Sequence, residues 1–217
     1  MAMTEAQQGR QRSADIDTII FDLGGVLIDW NPRHLYRKIF GADHAAMEWF
    51  LAHVCSPEWN LRQDAGRPWP EAIAEAQARH PEHAALIRAY RERWEETLGG
   101  VIDDAVALLA ELRSEPVRLL ALTNWSAETF PIGRRRFPFL DWFEGIVVSG
   151  EEKLVKPDRA IYELLLRRYA AVPERAVFID DSEANVVGAR RVGLHAIRFR
   201  DAATLRRELS ALGLLAA

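Results

Sequence analysis

The feature that most constrains the fold is a series of short, almost wholly apolar runs that stop abruptly at polar residues. Residues 16–22 read IDTIIFD, 117–123 VRLLALT, 145–149 GIVVS and 176–180 AVFID. Each is rich in Ile, Val, Leu or Phe, and none alternates strictly between apolar and polar. Runs of this kind fit strands buried on both faces, as in a parallel sheet. HAIRF at 195–199 is a fifth, weaker candidate. Helical spacing of apolar residues fills the gaps, at 103–115, 158–170, 182–193 and 203–213. The first of these opens on an Asp cap, and the second starts at Asp158, just after Pro157. The third runs from Ser182 to Gly193. Alternating strands and helices predict an α/β fold, a parallel sheet flanked by helices with right-handed crossovers.

One stretch breaks the alternation. From about Pro32 to Gly99 no strand pattern emerges, and LYRKIF, AAMEWFLAHV, PEAIAEAQARH and ALIRAYRERWEETL all read as helices. Pro57, Pro68, Pro70 and Pro81 punctuate them. The expected organisation is a polar N-terminal tail (1–15), an α/β core (16–30 and 100–217), and a helical insertion (31–99) after the first strand. Trp30 stands at the entry to the insertion, followed by Trp49, Trp59, Trp69 and Trp94. Most of these read as packing residues. Trp30 and Trp59 are the candidates for a pocket lining, since aromatic side chains often line ligand sites.

Charge narrows the range of partners. A net charge of −4 and a pI near 5.9 suit neither a general nucleic-acid binder nor a membrane-surface binder. No apolar stretch approaches the ~20 residues of a membrane span. The single cysteine, Cys55, excludes an internal disulfide and fits a reducing, cytoplasmic setting. It reads as a buried, inert thiol.

In open α/β sheets, ligands bind beyond the carboxyl ends of the strands. Those ends carry a coherent set here: Asp22, Thr123 with Asn124, Lys156 in GEEKLVKP, and Asp180-Asp181. Clustered carboxylates repel one another unless a cation neutralises them. A hard divalent ion such as Mg²⁺ would do so, bound by a few carboxylates, waters and a phosphate. Asp22 could then attack phosphorus and form an aspartyl-phosphate that water cleaves. The glycines after Asp22 let the backbone turn sharply and approach a ligand.

These motifs give the chain a specific resemblance. FDLGGVL, LTNWS, KPDRAIYELLL and VFIDDSEANVVGARRVG resemble, in order and spacing, the four motifs of the haloacid dehalogenase-like (HAD) hydrolases. The match extends over residues 16–199. It implies a Rossmann-like core, with the insertion as a cap that closes over a small phosphate ester. The resemblance makes Asp22 the nucleophile and places Mg²⁺ between Asp22, the Gly24 carbonyl and Asp181, with Asp180 supporting through water. Thr123, Asn124 and Lys156 match the phosphate-binding positions.

One departure matters. Phosphatases of this superfamily usually carry a second Asp in the first motif, as general acid and base, and here that position is Gly24. A backbone carbonyl can still bind metal, but it cannot deliver a proton. General acid–base help is typically worth ~10²–10⁴ in rate. Asp29, Asp64 and His34 are conceivable substitutes, which the sequence does not rank. The DLG variant resembles a subgroup that includes sugar-phosphate phosphatases.

The leading expectation is therefore a Mg²⁺-dependent phosphatase of a small phosphorylated metabolite. One alternative is a metal-independent 2-haloacid dehalogenase with Asp22 attacking carbon, although Asp180-Asp181 would then lack a cation. Another is a weakly active phosphate-binding regulatory protein. The Arg134-Arg135-Arg136 run reads as a solvated face. The histidines show no metal-ligand spacing.

Overall fold

The computed structural model describes residues 16–215; the tail expected at 1–15 lies outside them. The described residues open with strand β1 (Thr18–Phe21) and a short strand β2 (Ile28–Trp30). Five helices follow: α1 (Arg33–Phe40), α2 (His44–His53), α3 (Pro57–Asp64), α4 (Trp69–Arg79) and α5 (Ala84–Glu92). Strand β3 (Leu98–Val101) brings the chain back to helix α6 (Asp103–Leu112) and strand β4 (Arg118–Thr123). Then come α7 (Phe130–Arg136), β5 (Gly145–Val148), α8 (Ser149–Glu152) and α9 (Arg159–Arg168). The chain finishes with β6 (Ala176–Asp180), α10 (Glu183–Arg190), β7 (His195–Arg198) and α11 (Ala202–Ala211).

The main sheet is parallel throughout, in the order β5-β4-β1-β6-β7. All four residues of central β1 are buried, as its unbroken apolar run requires. Successive residues serve opposite faces. Ile19 and Phe21 join Leu108 and Leu109 of α6 and Leu205 and Leu209 of α11. Ile20, Leu120 and Phe178 join Ile161 and Leu165 of α9. This is the α/β, Rossmann-like arrangement, with helices covering both faces of the sheet.

The first apolar cluster runs on into the insertion, through Leu35, Tyr36, Phe50, Trp69 and Tyr90. Two tethers fix the α3–α4 corner to the core: Trp69 Nε1 donates to Ser126 Oγ at 3.0 Å, and Ser149 Oγ donates to the Asp64 carbonyl at 2.6 Å. Among the described residues, no helix is long and apolar enough to cross a membrane.

Three expectations change. First, β2 and β3 form an antiparallel ribbon, Ile28 opposite Val101 and Trp30 opposite Leu98, so strand begins at Leu98 and not after Gly99. The pairing joins distant segments, and Gly99-Gly100 gives no local strand signal. A Cβ at Gly99 would meet Asp29 Oδ2 and His34 Nε2, so these two side-chain ends would have to shift to admit one. Second, the long helix expected at 85–98 ends at Glu92, and a 3₁₀ turn over Trp94–Thr97 leads into β3. Third, Ile102 and not an Asp is the cap residue of α6. Asp103 and Asp104 lie in its first turn, where negative charge suits the helix dipole.

Candidate active site at the carboxyl ends of the sheet

The β1 ladder continues one residue past the strand, with the Asp22 N–H donating to the Ile179 carbonyl at 2.8 Å. That places Asp22 beside the end of β6, where Asp180 sits. The chain then folds back on Leu23, whose carbonyl accepts from the N–H groups of Leu27 and Ile28, each at 2.9 Å. Gly25 makes this turn possible in two ways. Its φ is +75°, and a Cβ there would lie 2.5 Å from Asp181 Oδ2. A side chain at residue 25 would therefore strain the turn and push Asp181 away from Asp22.

Lys156 ties the floor of the site together. Its ammonium is 2.8 Å from Asp22 Oδ1 and 2.7 Å from Asp180 Oδ2, and it donates to the Leu122 carbonyl at 2.9 Å. Burial works against its charge, but Asp22 and Asp180 outweigh that and hold Lys156 above the ordinary lysine range. Asp22 Oδ1 also accepts the Leu23 N–H at 2.7 Å. No hydrogen bond from the described residues reaches the other oxygen, Oδ2. The carboxylate is thus held by one oxygen with the second left available.

Asp180 is fully buried and its oxygens are engaged. Oδ1 accepts the Ser182 N–H at 2.8 Å, and the Asn185 amide reaches both oxygens at 3.0 and 3.1 Å. Asn185 thereby clamps the acidic loop. Asp181 is more open and stands against Gly25.

Asp22, Asp180 and Asp181 each bring a carboxylate oxygen within 4.8 Å of the others. Burial raises the Asp22 carboxyl; Lys156 pulls it down, and Asp180 and Asp181 push it up again. Asp181 is raised as well, by burial and by Asp180. Three carboxylates against one ammonium leave a local excess of negative charge. Hard oxygen donors at this spacing fit a divalent cation such as Mg²⁺.

Above this floor opens a cavity of about 530 Å³. Asp22, Gly24, Thr123, Asn124 and Asp181 line one end. Trp30, Pro57, Leu61, Trp94 and Trp125 supply the apolar wall, with Glu58, Asn60 and Asp64 beside them. Thr123 is 1% exposed, and no hydrogen bond among the described residues engages its hydroxyl.

Asn124 reaches the cavity, and its side-chain amide also holds the Lys156 main chain, donating to the carbonyl at 3.0 Å and accepting the N–H at 2.9 Å. It positions the lysine, with its second amide N–H not engaged by these bonds. One candidate residue has a different place from the one expected: Trp59 does not line this cavity. It is buried in the insertion, edge-on to Trp69 and Tyr90 at 5.6 and 5.3 Å, with Nε1 directed at the Ala72 carbonyl. Trp30 does line the cavity.

Several lining residues escape a sequence reading. Helix α3 contributes Pro57, Glu58, Asn60 and Leu61 beside Asp64, which the sequence offers as a candidate acid. Its start was legible: Ser56 caps it by accepting the Trp59 N–H at 3.2 Å, and Pro57 follows at the first turn. Trp94 and Trp125 meet at 5.5 Å between ring centroids, a contact between segments far apart in sequence. Cys55 is buried, and desolvation raises its thiol, which keeps it protonated and inert.

Comparison with known proteins fits this geometry. The family model for haloacid dehalogenase-like hydrolases matches residues 16–193. The sesquiterpene phosphatase astK of Aspergillus oryzae is 30% identical over 203 residues, which span 89% of this chain and 94% of that protein. A HAD family enzyme from Bacteroides thetaiotaomicron, solved with magnesium and inorganic phosphate, superposes with a TM-score of 0.65 at 24% identity, covering 85% of this chain and 94% of that one. The L-2-haloacid dehalogenase of Xanthobacter autotrophicus shares the fold at a TM-score of 0.57 and 18% identity, over 90% of this chain and 83% of its own.

Proposed function

The chain belongs to the haloacid dehalogenase-like hydrolases, and from that premise we propose that it is a Mg²⁺-dependent phosphomonoesterase working through an aspartyl-phosphate on Asp22. The observation that carries this reading is the acidic floor, in which Asp22, Asp180 and Asp181 converge and a single lysine pairs with the first two. Asp22, Asp181 and the Gly24 carbonyl would hold the cation, and Asp180 would support from behind. When bound, Mg²⁺ neutralises the carboxylates and the phosphate oxygens, so that an anionic ester can approach an anionic nucleophile.

The residues of the chain then divide the work. Lys156 and the Leu23 N–H hold Asp22 Oδ1, so that Oδ2 is the oxygen presented to phosphorus. Attack breaks the ester P–O bond and leaves the phosphoryl group on Asp22. The Thr123 hydroxyl donates to a phosphoryl oxygen. Asn124 keeps Lys156 in register through its main chain. Water attacks phosphorus in the second step, releasing phosphate and restoring Asp22. The insertion walls the reaction off from bulk solvent.

The cavity also indicates the substrate. Among the described residues no Lys, Arg or His lines the cavity, and Lys156 is buried below its floor. A second anionic group on the substrate would meet Glu58 and Asp64 and no compensating cation. The wall of Trp30, Leu61, Trp94 and Trp125 suits an apolar alcohol, and Leu61 is 38% exposed, as a side chain waiting for a ligand would be. The similarity to a sesquiterpene phosphatase points the same way. We therefore assign the substrate as the monophosphate of an apolar alcohol rather than a sugar phosphate.

The absence of a wall cation also weighs against a dehalogenase, because a haloacid carries a carboxylate that would need one. A panel of Mg²⁺-supported assays tests the assignment. A prenyl monophosphate should give the highest kcat/KM, a hexose monophosphate a lower one, and a bisphosphate or phosphocarboxylate the lowest. Preference for a doubly anionic ester would contradict it.

A further inference from the structure

Gly24 leaves the phosphatase reading with no proton donor on β1 or its turn. A Cβ built at Gly24 meets nothing within 4 Å, so the space for an acidic side chain is open and unfilled. Another group must protonate the departing alkoxide, which is a poor leaving group when the alcohol is aliphatic.

The structure ranks the acids that the sequence could not. Asp29 and His34 are 2.9 Å apart, paired with each other against the β2–β3 ribbon. Neither lines the cavity over Asp22. Glu58 lines it, but the Ser56 hydroxyl and its own backbone N–H hold it below the ordinary glutamate range, and it is charged at neutral pH. Asp64 lines the same cavity from the carboxyl end of α3.

Resting on the phosphatase reading, we propose that Asp64 is the general acid and base of the reaction, a proton donor supplied by the insertion in place of the missing acid at Gly24. It is fixed for the task. Asn60 Nδ2 donates to its Oδ2 at 3.0 Å, and Ser149 of the core holds its backbone carbonyl at 2.6 Å. Burial pushes its carboxyl up to about 7, against the opposing pull of the Ser126 backbone N–H and Lys156. A carboxyl in that range is available in both protonation states near neutral pH.

The step balances. Asp22 Oδ2 forms a bond to phosphorus, the P–O(ester) bond breaks, and its electron pair goes to the ester oxygen, which takes the Asp64 proton and leaves as the alcohol. The Asp64 carboxylate then accepts a proton from the water that attacks the phosphoryl group. Phosphate departs, Asp22 is again a carboxylate, and Asp64 is again protonated.

Leaving-group dependence separates a proton donor from a residue that merely supports the fold. Wild type and Asp64→Asn are compared with Mg²⁺ on an alkyl monophosphate and on p-nitrophenyl phosphate, whose leaving group departs as a stable anion. Because hydrolysis of the aspartyl-phosphate is common to both esters, the comparison is made on the first turnover, as the rate at which the alcohol or p-nitrophenolate is released. In that step the variant should lose about 10²–10⁴-fold on the alkyl ester and stay close to wild type on the aryl ester, which also reports that its site is intact. Equal first-turnover losses on both esters, or none on the alkyl ester, would overturn the assignment while leaving the phosphatase reading in place. A wild type inert toward both esters, with no phosphate released, would sink the phosphatase reading and this assignment with it.

Discussion

Replacing Asp22 by Asn abolishes phosphate release, by about four orders of magnitude or more, and leaves a folded protein. The amide keeps the shape of the carboxyl and can still accept the Leu23 N–H that Asp22 Oδ1 accepts at 2.7 Å, but it is no nucleophile. Stability should not fall. Burial and the neighbouring carboxylates already raise Asp22, so a neutral side chain removes a strained charge, while Lys156 retains Asp180 at 2.7 Å. The variant should melt at or above the wild-type temperature at neutral pH. Acid-quenched wild type mixed with substrate should carry a phosphoryl group on the peptide containing Asp22, and the variant should carry none. A variant that is inactive because it is unfolded would contradict this account, as would a phosphoryl group on another residue.

Lys156→Met has the second large effect, and here stability falls together with activity. The lysine is 2% exposed and compensates two carboxylates within 2.8 Å. Removing one partner of a buried ion pair typically costs about 3–5 kcal/mol. The loss has a pH signature whose sign follows from Asp22. Lys156 now pulls the Asp22 carboxyl down against burial. Without it, the folded-state pKa climbs further above its unfolded value, so the folded variant binds protons more tightly than the unfolded chain. Its stability therefore falls as pH rises. Burial already holds the wild-type carboxyl at about 8, so below that pH both folded proteins keep Asp22 protonated and the deficit is constant; it should widen as the pH rises above about 8. Denaturant melts of both proteins from neutral to alkaline pH check this. A deficit that does not widen there would show that lost packing, not lost charge, is the cause.

The parts of the fold that could be read in the sequence were those set by local pattern. The runs at β1, β4, β5 and β6 are apolar because both faces of a parallel sheet are covered. HAIRF was the weaker reading because β7 is an edge strand whose His195 and Arg198 are exposed. The β2–β3 ribbon was invisible because its pairing is long-range and glycine-rich. Helix α3 was overlooked because Asn60 and Gln63 are polar yet buried, which erases its apolar period, although Ser56-Pro57 marked its start.

The site divides along the same line. Chemistry-bearing residues at strand ends were legible because the topology must bring those ends together. The packing of Trp59 and the position of Asp64 depend on how the insertion folds back. Sequence spacing does not specify that.

The most direct test of the central claim is an assay of the purified protein with Mg²⁺ or with EDTA, against p-nitrophenyl phosphate and against 2-chloropropionate. The account expects phosphate release that requires Mg²⁺, and no halide from the haloacid under either condition. Halide release insensitive to EDTA, or phosphate release equally fast without a metal, would contradict it, and the convergence of Asp22, Asp180 and Asp181 would need another explanation.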